Sequence, residues 1–223
     1  MRRLFRDNGL SLTLLAVFLV LLVAQTLAGQ HELNAERLEH GNAPLALPEY
    51  LRTGHFVEAT AENWESEFLQ MAAYVLLTVV LFQRGSSESK KPGGNEAVDR
   101  DPRQARGRRL ADAPGPVRRG GWPLRLYEHS LSIAFLMLFL VSFFAHAIGG
   151  ARAESEEQLA HGEPPVGILD YIQSSRFWFE SFQNWQSEFL AIAAMVLLSI
   201  HLRERGSPES KPVDAPHSQT GSG

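Results

Sequence analysis

Hydrophobic and polar positions are distributed unevenly along this chain. Four apolar runs, at residues 10–27, 68–82, 131–148 and 189–202, alternate with stretches dominated by charge, glycine and proline. None of the runs carries a polar stripe at helical spacing, so each predicts a helix that is apolar all round rather than the half-wet helix of a soluble bundle. At 1.5 Å per residue the first and third would be about 27 Å long, close to a hydrocarbon core of about 30 Å. The second and fourth reach roughly 20–22 Å and need help from their flanks. Trp64 and Trp185 each stand four residues before one of these shorter runs, where an indole favours the headgroup level. The predicted fold class is an all-α membrane protein with four transmembrane helices, over about 10–29, 64–83, 130–149 and 185–203.

The chain also repeats itself. Shifted by 121 positions, residues 4–90 align with 125–211 without a gap, and 33 of the 87 pairs are identical. The match is densest where Asn63-Trp64-Glu65-Ser66-Glu67-Phe68-Leu69 meets Asn184-Trp185-Gln186-Ser187-Glu188-Phe189-Leu190. It extends into the polar ends, where Arg84-Gly85-Ser86-Ser87-Glu88-Ser89-Lys90 corresponds to Arg205-Gly206-Ser207-Pro208-Glu209-Ser210-Lys211. This is a duplicated module rather than two similar greasy segments. The expected organisation is a first transmembrane hairpin repeat at 1–84, a disordered basic linker at 85–121, a second hairpin repeat at 122–205 and a disordered tail at 206–223. Each repeat has an even number of spans, so the two hairpins run parallel.

Charge sets the orientation. Of the 21 Lys and Arg, only Arg37, Arg52, Arg152 and Arg176 lie in the two loops that join the helices within a repeat, and those loops hold 15 of the 25 acidic residues when Glu65, Glu67 and Glu188 at the adjoining helix starts are counted. The positive-inside rule places both termini and the linker in the cytoplasm of a multi-pass protein of the bacterial plasma (inner) membrane. Residues 1–28 also resemble a secretory signal, but the first run is longer than a signal core and its repeat partner lies mid-chain, so we read it as a retained span. The linker's Arg103, Arg106, Arg108, Arg109, Arg118 and Arg119 predict contact with anionic lipid. No aromatic residues interleave with them, so no nucleic-acid partner is expected. The chain has no cysteine, which excludes disulfides, thiolate metal sites and a cysteine nucleophile.

Two constellations are candidates for chemistry. At the outer ends of the shorter helices, Asn63, Trp64, Ser66 and Glu67 recur as Asn184, Trp185, Ser187 and Glu188, with Gln70 replaced by Ala191 in the second copy. A carboxylate at a helix centre costs roughly 2.5–3.5 kcal/mol on insertion scales, so such groups face protein or water. Glu67 and Glu188 are expected to approach each other between the repeats, either bonding helices together or forming an ion site. The weaker candidate is the loop pair Glu36/His40 and Glu157/His161, in which i,i+4 spacing puts a carboxylate and an imidazole on one face. The competing reading is a helix end, with histidine in the last turn, Gly41 or Gly162 past it and Pro44 or Pro165 beyond. His146 and His201 have no histidine counterpart in the other copy and are assigned structural roles near helix ends that reach water. No nucleophile elbow, phosphate-binding loop or zinc-protease motif occurs, so no catalytic, cofactor or metal residue is assigned and no enzyme is expected.

The Asn-Trp-x-Ser-Glu-Phe-Leu segments, the terminal Arg-Gly-Ser-x-Glu-Ser-Lys of each unit, residues 127–132 and residues 174–183 resemble a bacterial family of small membrane proteins designated a domain of unknown function, of the DUF6766 type. The resemblance covers nearly the whole chain. It implies a bacterial membrane location and a duplicated helical pair, and brings no activity or ligand with it. The function expected is a non-enzymatic accessory or scaffold module of the cell envelope, with the lipid bilayer and an undetermined protein as partners. The alternative is a small channel or transporter working as a homo-oligomer.

Overall fold

A computed structural model describes residues 2–93, 96–105 and 107–221. Among the described residues, regular secondary structure is helical throughout, in agreement with the predicted all-α class. In chain order the helices are α1 (Arg2–Glu39), α2 (Leu47–Tyr50), α3 (Gly54–Val80), α4 (Arg108–Ala111), α5 (Gly115–Arg119), α6 (Gly121–Glu128), α7 (Ser130–Ala160), α8 (Ile168–Ile172) and α9 (Ser175–His201). Two of them are long and apolar enough to cross a membrane, α1 over Phe5–Glu39 and α7. Only 6% and 17% of their most apolar stretches is buried in the protein. Arg106 of the basic run lies outside the described residues.

All four long helices overrun the apolar runs that predict them. In α1 and α7 the excess is a polar extension, and both extensions stop in the same way. Gly41 (φ 75°) and Gly162 (φ 78°) adopt the left-handed conformation. The N–H groups of Asn42 and Glu163 then reach back to the carbonyls of Arg37 and Gln158 at 2.8 and 2.9 Å, which closes a Schellman cap.

The chain divides into two compact units. The first comprises Met1–Ala61 and Phe144–Phe177. Its organising contact is a buried tyrosine set against a glycine, and it occurs twice. The hydroxyl of Tyr50 lies over Gly29, where a Cβ would meet it at 2.1 Å, and that of Tyr171 lies over Gly150 at 2.2 Å. Glycine is required at both places by close approach rather than by its dihedral freedom. The loop after each polar extension is pinned by the helix it leaves. The Leu45 N–H donates to Asn34 Oδ1 at 2.7 Å, and the Val166 N–H donates to Ser155 Oγ at 2.9 Å. Small residues also let α3 and α7 meet backbone to backbone, since a Cβ on Gly54 would fall 2.6 Å from the Gly149 carbonyl oxygen.

The second unit comprises Glu62–Phe143 and Trp178–Gly223. Here the Arg-Gly-Ser-x-Glu-Ser-Lys segments act as helix-end turns. Ser89 Oγ accepts from the Gln83 N–H at 2.8 Å, and Ser210 Oγ accepts from the Glu204 N–H at 3.0 Å. Gly85 (φ 90°) and Gly206 (φ 86°) make the reversal. The two closing lysines then differ. Lys90 pairs with Asp99 at 2.7 Å, and this hydrogen bond holds the Asp99 carboxyl below the ordinary range. Lys211 is buried, and its ammonium donates to the carbonyls of Gly85, Ile200 (3.3 Å), His217 (3.0 Å) and Gln219 (3.0 Å). Loss of hydration pushes its pKa down, with the Arg203 charge adding to the effect. A buried Ser86–Ser199 hydrogen bond of 2.8 Å joins the same turn to α9.

The two tyrosine contacts respond differently to an added methyl. At Gly29 the nearest atom after the hydroxyl oxygen is Tyr50 Cζ at 3.2 Å, whereas at Gly150 the Tyr171 ring carbons Cζ and Cε1 stand at 2.3 and 2.4 Å. Gly29→Ala should therefore cost about 1–3 kcal/mol of stability and be largely rescued by Tyr50→Phe. Gly150→Ala should be at least as damaging and not be rescued by Tyr171→Phe. Thermal unfolding of the four variants checks this, and equal rescue at both sites would contradict the stated geometry.

Candidate functional site

Asn63 to Glu67 lie on α3 and Asn184 to Glu188 on α9, all in the second unit. The helical period decides which of them face inward. Glu65, Ser66 and Gln70 are buried, while Asn63 and Glu67 are exposed and Trp64 is 39% exposed. On α9, Asn184, Trp185 and Glu188 are half-buried and Ser187 is exposed. Ser66 and Ser187 turn their hydroxyls back on their own helices, donating to the carbonyls of Asn63 (2.7 Å) and Asn184 (2.8 Å).

Hydrogen bonds join the helices. Trp185 Nε1 donates to Glu65 Oε1 at 3.0 Å, the Asn184 amide donates to Glu62 Oε1, and Gln70 Nε2 donates to the Glu188 carbonyl at 3.1 Å. The two repeats thus meet through unlike residues. Asn184 and Trp185 come from the recurring segment, but their partners Glu62 and Glu65 are Gln183 and Gln186 in the other copy. Reading only what the copies share passes over these two glutamates. The available signal was their i,i+3 spacing, which sets them on one side of a helix just ahead of its apolar run. Glu67 and Glu188 stand on these adjoining stretches, where Gln70, three residues after Glu67, reaches the Glu188 carbonyl. An aromatic cluster surrounds the Trp185 end of the network, with Phe182 edge-on to Trp185 at 5.5 Å and Phe139 at 6.4 Å.

The loop histidines are used locally. Nδ1 of His40 and of His161, one residue past α1 and α7, sits 2.9 and 2.8 Å from the carbonyl oxygens of Glu36 and Glu157 in the last turns of those helices. Arg176 takes the Glu157 carboxylate at 3.1 Å. His201 ends α9 with its ring 5.0 Å from that of His217.

His146 differs from expectation. It lies in the middle of α7, which continues to Ala160, and it is fully buried rather than reaching water. Its ring stacks on Phe177 at 4.7 Å, and a ring nitrogen lies within 4.8 Å of a Glu58 carboxylate oxygen. Tyr171 donates to that carboxylate at 2.9 Å. The first unit therefore holds a buried His–Glu–Tyr cluster. At the matching positions of the first copy, Gln25 donates to Thr60 at 3.4 Å and Tyr50 meets His55 Nδ1 at 3.2 Å.

The Trp185–Glu65 bond predicts an unequal pair of variants. Trp185→Phe removes a donor from a fully buried carboxylate and should cost about 1–3 kcal/mol. Glu65→Gln keeps an acceptor for the indole and should cost clearly less. Equal losses of unfolding free energy would show that the hydrogen bond contributes nothing.

The sequence model of the family described as Domain of unknown function (DUF6766) matches residues 1–222, and the chain belongs to that family. No curated protein and no solved structure matches the chain.

Proposed function

We propose that this member of the family is a multi-pass protein of the bacterial inner membrane, working as a non-enzymatic accessory or scaffold module of the envelope. In this reading α1, α3, α7 and α9 all span the bilayer, as two tandem parallel hairpins with both termini and the linker in the cytoplasm. The observation that carries it is the apolar surface of α1 and α7, which is almost entirely exposed. In water such a surface would associate; in lipid it is the expected exterior. Contacts repeated at 121-residue spacing, Tyr50 over Gly29 and Tyr171 over Gly150, support the tandem organisation. The shorter apolar runs of α3 and α9 are helped across by a hydrogen-bonded polar end, and the charge distribution supports the orientation.

A second reading, a small oligomeric channel or transporter, is favoured by Glu67 on α3 and Glu188 on α9, stretches that Gln70 joins through the Glu188 carbonyl, because ionisable groups on membrane helices are by default functional candidates. Reconstituted protein separates the two readings. A transporter carries an ion or proton flux that Glu67→Gln and Glu188→Gln abolish, whereas a scaffold carries none and retains a protein partner through purification.

Topology tests the favoured reading directly, and the absence of cysteine supplies the background. Single cysteines at Glu39 and Glu163 should react with an impermeant thiol reagent added outside intact cells, and one at Ala111 only after the membrane is opened. Outside labelling at 111, or protection of both loop positions, would overturn the orientation.

A further inference from the structure

On the membrane reading, which is the premise here, α6 lies on the cytoplasmic side and presents an exposed face. Helix α6 is eight residues long and ends at His129, whose backbone (φ −116°, ψ 9°) is not helical; α7 begins one residue later. The kink separates α6 from the apolar helix behind it. With 3.6 residues per turn, Trp122, Arg125 and Leu126 fall on one side of α6 and Leu124 on the other. Leu124 is buried against the protein, whereas Trp122 is 79% and Leu126 61% exposed. The Arg125 guanidinium lies over the Trp122 ring, 5.4 Å from its centre. Arg118 and Arg119 close α5 two residues before α6 begins, and both are exposed. The helix's one carboxylate, Glu128, is held by Arg103 at 2.8 Å. What remains outward is an indole and a leucine, with Arg125 on the same side and Arg118 and Arg119 just ahead in the chain.

The start of the chain repeats the device. Asn8, 121 positions before His129, is also non-helical (φ −131°, ψ 20°) and divides α1 into a short leading segment and the long apolar helix. In that segment Phe5, the counterpart of Leu126, is exposed, and Arg6 pairs with Asp7 at 2.8 Å. Two kinks at equivalent positions, each directly ahead of an apolar helix, place a short helix where that helix would leave the hydrocarbon.

We propose that α6 is an interfacial helix that seats Trp122 and Leu126 in the cytoplasmic leaflet and recruits anionic phospholipid through Arg118, Arg119 and Arg125. The chemistry suits that occupant. Tryptophan favours the headgroup level, and each basic side chain adds to the attraction of an anionic leaflet. A soluble acidic protein would satisfy the arginines but would leave no reason for the kink that holds the apolar pair beside a spanning helix.

The test uses the full chain in nanodiscs of phosphatidylcholine alone or mixed with phosphatidylglycerol, carrying single nitroxide labels at Leu126→Cys, Leu138→Cys in α7 and Ala111→Cys in the linker. Relaxation by a water-soluble nickel chelate reads exposure at each label. Position 126 should be severalfold less accessible than 111, more so with phosphatidylglycerol, and the triple change Arg118→Gln, Arg119→Gln, Arg125→Gln should remove the lipid dependence. If 126 is as accessible as 111 in both lipids while 138 stays shielded, the interfacial helix is wrong and the membrane reading stands. If 138 is accessible as well, both fall. Phe5→Cys gives a second measurement, expected to be shielded like 126, should the label at 126 disturb α6.

Discussion

The constraint on which everything else depends is the exposure of the apolar side chains of α1 and α7. Their surfaces are hydrophobic on all sides and are scarcely covered by the rest of the chain. Hydrophobic burial against water therefore cannot be what gathers these helices. In lipid the tails are as apolar as leucine, and association relies on close packing and hydrogen bonds between helices. That is the kind of contact found inside each unit. In the first, glycines at 29, 149 and 150 admit a tyrosine or a neighbouring backbone at distances no side chain would allow. In the second, the indole of Trp185 and the amides of Asn184 and Gln70 bond across to α3 or back from it.

The duplication shows where the module tolerates change. Features that close the backbone are kept in both copies: the Schellman glycines, the serine-capped turns and the tyrosine over glycine. Features that carry charge have diverged. Lys90 holds an aspartate and Lys211 sits among carbonyls. Gln25 and Thr60 share an ordinary hydrogen bond, while His146 and Tyr171 of the second copy are buried with Glu58 of the first. Backbone closure is thus shared at 121-residue spacing, whereas the buried polar contacts are not.

The helical class was legible in the sequence because apolar runs without a polar stripe leave few alternatives. Helix ends were less so. The hydrogen-bond ladder does not stop where hydrophobicity stops, and α1 and α7 continue through charged residues until a glycine cap closes them. The candidate site was half legible. Asn184 and Trp185 stood out because their segment recurs, but their partners Glu62 and Glu65 lie at positions where the copies differ. Tyr50 and Tyr171 were visible as a repeated pair, as were Gly29 and Gly150, yet only packing reveals that each tyrosine belongs to its glycine.

The central claim is that lipid covers the surface of α1 and α7. Its most direct measurement is alkaline carbonate extraction of membranes from cells that make the full chain. A protein held by spanning helices stays in the membrane pellet after the wash and leaves it only with detergent. Release into the carbonate supernatant as a soluble, folded chain would contradict the account, since the exposed apolar surface would then need a protein cover instead of lipid.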